Sequence, residues 1–380
     1  MVVDFGAKNF FSFKEGFDIS FQFGKNCPEH ISNGEEISNL ICIKGANGSG
    51  KTNVLKAIYF IADFISNSFD NKPTDYLSFD SYFLNESNSE FYVSFILNKI
   101  AYRYEFILSE KEVIKEVLYR KDKREVKVFE RKENVLTYAI KDFSGLYDIP
   151  KLRKNVSVFS MANQFEISSI EPIHTFFRRF ISNVRYSGML SETIELSDLN
   201  RFLHEHKEYL DFVVKMVSKF DPAIVDIYLR EAEDETKNKS YTPWFIFNVN
   251  GEVRMLPFAL QSSGTKSLYK QLASYKAVID SGSFLILDEF DINLHPHILP
   301  HLLNVFIDKD LNKNGAQLIF TTHNTEVLDV LGRHRTYLVN KEGTESYCYR
   351  LDEIPGDILR NDRPISPAYN QGKIGGIPKL

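Results

Sequence analysis

The chemistry in this sequence begins at Gly45-Ala-Asn-Gly-Ser-Gly-Lys-Thr52, which fits the G-x-x-x-x-G-K-[ST] pattern of a phosphate-binding P-loop. Glycines at 45, 48 and 50 let the backbone turn tightly and aim its N–H groups at a phosphate. Lys51 is expected to reach the β- and γ-phosphates of ATP, and the Thr52 hydroxyl to hold Mg²⁺. Gly45, Asn47, Gly48, Ser49, Gly50, Lys51, Thr52 and the following Asn53 form the expected nucleotide-binding set. A second group is Phe284-Leu-Ile-Leu-Asp288-Glu289, four apolar residues ending in two carboxylates. Asp288 at the end of a buried strand can complete the Mg²⁺ shell, and Glu289 can orient and deprotonate an attacking water. Without a P-loop in the same chain, the pair would read as a solvated acidic turn.

Two weaker groups follow. Gln261-Ser-Ser-Gly-Thr265 combines serine hydroxyls, a glycine backbone and a predicted helix N-terminus, which together make an anion site. By itself it reads as a plain helix cap at Ser262 or Ser263. One chain has no need of two sites for one γ-phosphate, but two chains do if each caps the other's nucleotide. His323 ends the apolar run Ile319-Phe-Thr-Thr-His323, where it can sense or polarise a γ-phosphate. A loop histidine with a structural hydrogen bond is the commoner explanation of such a residue taken alone.

These residues need elements to hold them. The P-loop is preceded by a short β-branched run at 39–44 that predicts a buried strand, and followed by a helix over 53–64. Residues 2–10 and 16–23 predict a hairpin, and short alternating runs between 90 and 135 predict an antiparallel meander. Helical spacing sets in near 159 and recurs over 192–220, with no sustained heptad repeat. A strand is expected over 224–229, an exposed acidic loop over 231–235, and a hairpin about Asn250-Gly251. Helices over 265–280 and 297–308 alternate with buried strands at 284–287 and 317–321. Apolar strands alternating with helices imply an α/β fold with a largely parallel core sheet and an antiparallel layer beside it.

Composition narrows the class. With 43% hydrophobic and 26% charged residues, the 380-residue chain is globular, not disordered. A net charge of -5 gives no global basic field for nucleic acid, although a local groove stays open. Arg120, Lys121, Lys123, Arg124, Lys127, Arg131 and Lys132 make a basic hairpin that Asp122, Glu125 and Glu130 dilute, which favours a solvated sheet face. Cys27, Cys42 and Cys348 match no metal or redox spacing and suggest a reducing compartment. His295, His297 and His301 lack a completing ligand and read as structural. No apolar run approaches the ~20 residues of a membrane span, no signal peptide is evident, and a cytoplasmic location is expected.

P-loop, Ser-x-Gly, Asp-Glu and histidine occur in the order and rough spacing of ABC-type ATPase heads, and the chain resembles the RecF/SMC/OLD group. Within it, the sequence is similar to stand-alone bacterial AAA proteins linked to abortive infection and phage defence. Val3-Asp-Phe-Gly-Ala-Lys-Asn-Phe-Phe-Ser-Phe-Lys14, Asp288-Glu-Phe-Asp-Ile-Asn-Leu-His-Pro296 and Asn370-Gln-Gly-Lys-Ile-Gly-Gly-Ile377 support the likeness, which covers nearly the whole chain. The resemblance implies a P-loop NTPase of ABC-head type with an antiparallel β layer and a short helical insertion. It divides the chain into an N-terminal lobe (1–158), the insertion (159–222) and a C-terminal lobe (223–380). Ser262 and Gly264 would act in trans on a neighbour's ATP, Asp288 as Walker B, Glu289 and His323 as the catalytic pair. Gln164 is the candidate Q-loop glutamine, with a surface glutamine an equal alternative. Asp291-Ile-Asn-Leu-His295 occupies the D-loop, with His295 where an aspartate is usual and therefore without a catalytic role. Gln261 and Thr265 make the signature degenerate.

The resemblance further implies slow, regulatory hydrolysis of Mg²⁺-ATP in a composite site shared by a homo-oligomer, at least a head-to-head dimer. The stretch after His323 is too short for a nuclease domain like that fused in OLD proteins. Any toxic activity is thus expected of a separate effector such as a nuclease or toxin, with this chain as its sensor or regulator. The alternative is a RecF-like ATPase that loads on DNA in repair.

Overall fold

The computed structural model describes residues 1–122, 124–190, 194–233, 237–355, 358–361 and 363–377. Lys123 of the basic hairpin, Glu192 of the second helical stretch, and Asp234 and Glu235 of the acidic loop lie outside the described residues.

The chain opens with β1 (Val2–Lys8) and β2 (Phe17–Ser20), passes the one-turn α1 (Glu29–Ser32), and enters β3 (Leu40–Gly45) and α2 (Lys51–Asn67). The meander follows as β4 (Ser89–Leu97), β5 (Ile100–Leu108), β6 (Val113–Lys121), β7 (Glu125–Lys132) and β8 (Val135–Ala139). Then come α3 (Val158–Gln164), α4 (Glu171–Arg178) and three two-residue strands, β9 (Ile181–Ser182), β10 (Val184–Arg185) and β11 (Gly188–Met189). Helices α5 (Leu196–Glu205) and α6 (Lys207–Phe220) lead to β12 (Ile224–Glu233), β13 (Lys239–Val249) and β14 (Glu252–Pro257). The last part alternates α7 (Ser263–Ser281), β15 (Phe284–Leu287), α8 (Leu299–Ile307), β16 (Gln317–Thr321) and α9 (Glu326–Leu331). It closes with the hairpin β17 (Thr336–Glu342) and β18 (Glu345–Arg350) and the short α10 (Ser366–Asn370).

The central sheet runs β18-β17-β3-β16-β15-β9, parallel except for β18 at one edge. Its inner strands are buried at every position and mostly apolar, because both faces are covered. Ile41, Ile43, Phe284, Ile286 and Ile319 point into a core shared with α2 and the meander. Leu40, Cys42, Leu285, Leu287, Leu318 and Phe320 point the other way, toward α7 and α8. The meander joins the N-terminal hairpin in a seven-stranded antiparallel sheet, β2-β1-β4-β5-β6-β7-β8. Between the two sheets α2 is wedged by aromatic contacts, Phe60 on Phe91 at 5.0 Å and Phe64 on Phe106 at 5.0 Å between ring centroids. This is where the abundant phenylalanine goes, since aromatic pairs favour such spacings.

The helical stretch 159–222 packs against two different cores. Phe159, Ile173 and Phe177 of α3 and α4 join the core around α2. Leu199, Leu203, Val213 and Val217 of α5 and α6 join the core under α7 and the three-stranded sheet β12-β13-β14. Glu231 lies on β12, which continues to Glu233, and pairs with Lys239 across the strands, so the first part of the acidic stretch is strand, not loop.

One cation of the basic hairpin is not on its solvated face. Arg131 is fully buried and forms an ion pair with the equally buried Glu116, Nη1 to Oε2 at 2.8 Å. Glu116 also accepts from the Tyr104 hydroxyl and from Val158 N at 3.1 Å, while Arg131 donates to the carbonyls of Val156 and Arg153. The pair ties β6 and β7 to the start of α3. Lys127 and Lys115 spend their charge on Glu130, which thins the basic face further. Glu116→Ala strands a guanidinium in the interior, so about 3–5 kcal/mol of stability is expected to be lost. A large drop in thermal midpoint checks this, and the double variant Glu116→Leu/Arg131→Met should recover most of it. A single variant that melts with the wild type would show that the pair is idle.

Candidate functional site

The P-loop joins β3 to α2, a central strand to the helix wedged between the two sheets. Gly45 is required by packing: a Cβ there would lie 2.2 Å from the Val339 carbonyl oxygen of β17. Gly50 is required by conformation, with φ at 107° where it caps α2. Asn47 and Gly48 stand exposed at the loop tip, and Ser49 is buried. No side chain caps α2, so the N–H groups of its first turn face outward with the positive end of the helix dipole. Lys51 is 7% exposed and folds back over the loop, its Nζ donating to Gly45 O at 3.0 Å and Ala46 O at 2.9 Å. Burial pushes its pKa down, and the charges of Asp288 and Glu289 act against that. Asn53 turns aside and donates to Ser12 Oγ at 2.9 Å.

Asp288 and Glu289 leave the end of β15, two strands from β3, with β16 between. Thr52 Oγ1 donates to Asp288 Oδ2 at 2.7 Å, so the hydroxyl and carboxylate proposed for Mg²⁺ already meet. The other Asp288 oxygen accepts from Thr321 Oγ1, and Asn183 brackets the Asp288 backbone, accepting from its N–H at 2.7 Å and donating to its C=O at 3.0 Å. Glu289 sits at φ 50°, held there by Thr321 Oγ1, which accepts its N–H at 2.8 Å. This left-handed turn, unfavourable for a non-glycine residue, lifts its half-exposed carboxylate clear of the sheet. His323 Nε2 lies 3.8 Å from Glu289 Oε1. Asp291 fixes the histidine loop by accepting from His323 N at 3.2 Å and Asn324 N at 3.1 Å.

Residues from three adjacent strand ends thus converge at one edge, a setting that favours ligand binding in open parallel sheets. The group fits a nucleotide and its metal. A glycine loop leaves room where side chains would collide, helix N–H groups point outward, a lysine is within reach, and the buried Ser49 Oγ has no hydrogen-bond partner. Thr52 and Asp288 could hold Mg²⁺ as hydroxyl and carboxylate ligands. Among the described residues no group of three or more His, Cys, Asp or Glu side chains could hold a further metal ion.

Two expected members stand apart. Ser262 caps α7, its Oγ accepting from Thr265 N at 3.1 Å, and is exposed. Gly264 packs on the turn after Glu289, where a Cβ would approach Asn293 O to 3.0 Å. Both lie next to Ser263, which with Lys266, Asn293, Asp288 and Glu289 lines a cavity of about 360 Å³ on the α7 side of β15. Neither is hydrogen-bonded to its own P-loop. Gln164 does not join the site at all. It ends α3, whose Ser160 bonds to Phe69 N beyond the C-terminal end of α2, about 25 Å along that helix from Lys51. The sequence reading missed Thr321 and Asn183. A hydroxyl residue beside the candidate histidine was a usable signal for the first. The second is brought in only by β9, too short to show a periodicity.

A family described as "AAA domain, putative AbiEii toxin, Type IV TA system" matches residues 40–329. No curated protein matches the sequence. Among solved structures, a crystal structure of an SmcHead bound to the C-winged helix domain of ScpA is similar, with TM-score 0.53 and 15% identity over 92% of this chain and 97% of that one. An SMC head domain from Thermotoga maritima gives TM-score 0.47 and 16% identity over 92% and 98% of the two chains. The first likeness places the fold with P-loop ATPase heads of the SMC type. No helix among the described residues is long and apolar enough to cross a membrane.

Proposed function

Because the chain belongs to this family of AAA domains and is an ATPase of that kind, we propose that it works as an ATP-operated switch that senses or regulates a separate effector in bacterial defence against phage. The observation that carries the switch is the cluster Thr52, Asp288, Glu289, Thr321 and His323, gathered at three neighbouring strand ends. In this reading the N–H groups of the P-loop and Lys51 bind and orient the β- and γ-phosphates, with Gly45, Asn47, Gly48, Ser49 and Gly50 shaping the loop. Thr52 and Asp288 hold Mg²⁺, which supplies charge stabilisation at the transferring phosphoryl group. Glu289 accepts the proton of the attacking water, which needs a group that can come within hydrogen-bond reach of it. His323 donates to a γ-phosphate oxygen.

Ser262 and Gly264 cap the γ-phosphate held by a second copy, since Ser262 is exposed, both lie at a helix N-terminus, and neither bonds to its own P-loop. ATP then belongs to the contact between heads, and hydrolysis releases it. A composite site of this kind would make turnover slow, because catalysis waits on assembly. Steady-state phosphate release is expected to rise more than linearly with protein concentration. Rates strictly proportional to concentration across the range where the protein assembles would sink the shared site.

The effector is separate because both carboxylates of the site are committed to ATP. Pure protein incubated with plasmid and RNA, with ATP and Mg²⁺ or Mn²⁺, is expected to leave both intact. Cleavage that co-purifies with the chain would overturn that assignment.

A further inference from the structure

Lys44 is an unexpected residue in its place. It is the last side chain before the P-loop, on an otherwise apolar strand, and only 2% exposed. Burying an ammonium is costly unless its donors are used. Here Nζ donates to His323 O at 2.9 Å and Thr322 O at 3.4 Å, on the neighbouring strand end. Asp291 takes the N–H groups of His323 and Asn324. The histidine loop is therefore gripped by its carbonyls from one side and by its amides from the other.

Above Nζ lies the ring of Tyr369, its centroid 5.1 Å away, within range of a cation–π contact. Tyr369 is on α10, and that helix is strapped down at both ends. Asp329 of α9 accepts from Ser366 N at 2.9 Å and from Ile365 N. Further along, Tyr369 OH donates to Gly376 O at 2.7 Å, Gly376 N to Asn340 Oδ1 at 2.7 Å, and Tyr349 OH to Ile374 O at 2.6 Å. Tyr369, Ile365 and Ile374 share a small separate core with Leu328, Leu338 and Leu351.

We propose that Lys44 is a positioning residue that sets His323 from the P-loop strand, and that the strap 365–377 holds Lys44 in place through Tyr369. Lys44 touches no phosphate in this scheme. It links the strand that feeds the P-loop to the loop that carries the histidine, so strain at one is felt at the other. Loosening the strap would relax the histidine without emptying the P-loop.

The inference rests on the ATPase reading above, and the test separates the two. In Lys44→Met, a 1 Å drift of the histidine is expected to lower kcat roughly 10–100-fold. The Kd for ATP should stay unchanged, and amide exchange should quicken at 323 and 324 but not at 45–52. Tyr369→Ala should move the same readouts in the same direction. Tyr369→Phe keeps the ring over Lys44 and loses only the bond to Gly376 O, so it should move them less than Tyr369→Ala does. If the wild type releases no phosphate, the ATPase reading fails, and the exchange pattern still decides the positioning role by itself. Wild-type turnover and exchange in Lys44→Met would overturn the proposal. So would faster exchange spread evenly through β3 and β16, which is what a merely structural lysine would give.

Discussion

Phosphate release from ATP is expected to fall to background in Lys51→Ala, and nucleotide affinity to fall with it. Lys51 lies almost buried at the mouth of the loop, its ammonium on two loop carbonyls that it can exchange for phosphate oxygens. Removing it takes away the one cation of the P-loop where several negative charges must be held in a partly desolvated place. The fold should survive, because the hydrogen bonds of the side chain go only to the loop carbonyls of Gly45 and Ala46. Direct titration with a fluorescent ATP analogue, run beside a thermal melt, distinguishes lost binding from lost fold. A Lys51→Ala protein with wild-type phosphate release would remove the P-loop from the mechanism.

Glu289→Gln tests the opposite behaviour, binding without turnover. The amide keeps the size of the side chain and much of its hydrogen bonding but cannot accept the water's proton. Loss of a general base typically lowers rate by about 10²–10⁴. ATP affinity should be retained, and the stalled protein should accumulate an ATP-dependent assembly of heads. Adding Ser262→Arg places a bulky cation at the exposed cap of α7, where close docking on a neighbour is proposed. The assembly should then vanish while each P-loop still binds ATP. Crosslinking between position 262 of one copy and the P-loop region of another, with and without ATP, reads the contact directly. If it never forms in Glu289→Gln, or persists with Ser262→Arg, then Ser262 is only the cap that it visibly is within its own helix.

The residues that could be read from the sequence are those whose chemistry is contiguous. The glycine loop, Lys51 and Thr52 lie in one run, and Asp288 and Glu289 end an apolar strand whose bounds, 284–287, are those found. The bond from Thr52 to Asp288 forms because β3 and β15 end at the same edge of the sheet, with only β16 between them. Asn183 was out of reach because register, not pattern, delivers it: Ile181 pairs with Leu285 on a strand of two residues. Gln164 shows the converse failure. Its residue type suited a role, but α3 docks at the wrong end of α2, and no local feature of the sequence states where a helix docks. Arg131 was lost in alternating charge, since a buried cation on a strand looks like an exposed one until its partner Glu116 is found on the next strand. Lys44 was passed over for a like reason, as the polar end of an apolar run.

The two-faced central sheet also sets an order in which the molecule comes apart. Strands β3, β15 and β16 are walled in on both sides, so their amides should be the last to open to solvent. The outer strand β14 is exposed along nearly its whole length and pairs on one side only, so it should open first. Mild heating or a brief protease pulse would therefore fray the margin that leads into Ser262 while Lys51, Thr52 and Asp288 stay in register. Such a half-opened head could still capture ATP but could not present its cap to a neighbour. Ageing of the protein would then show itself as lost communication between copies before any lost affinity for nucleotide.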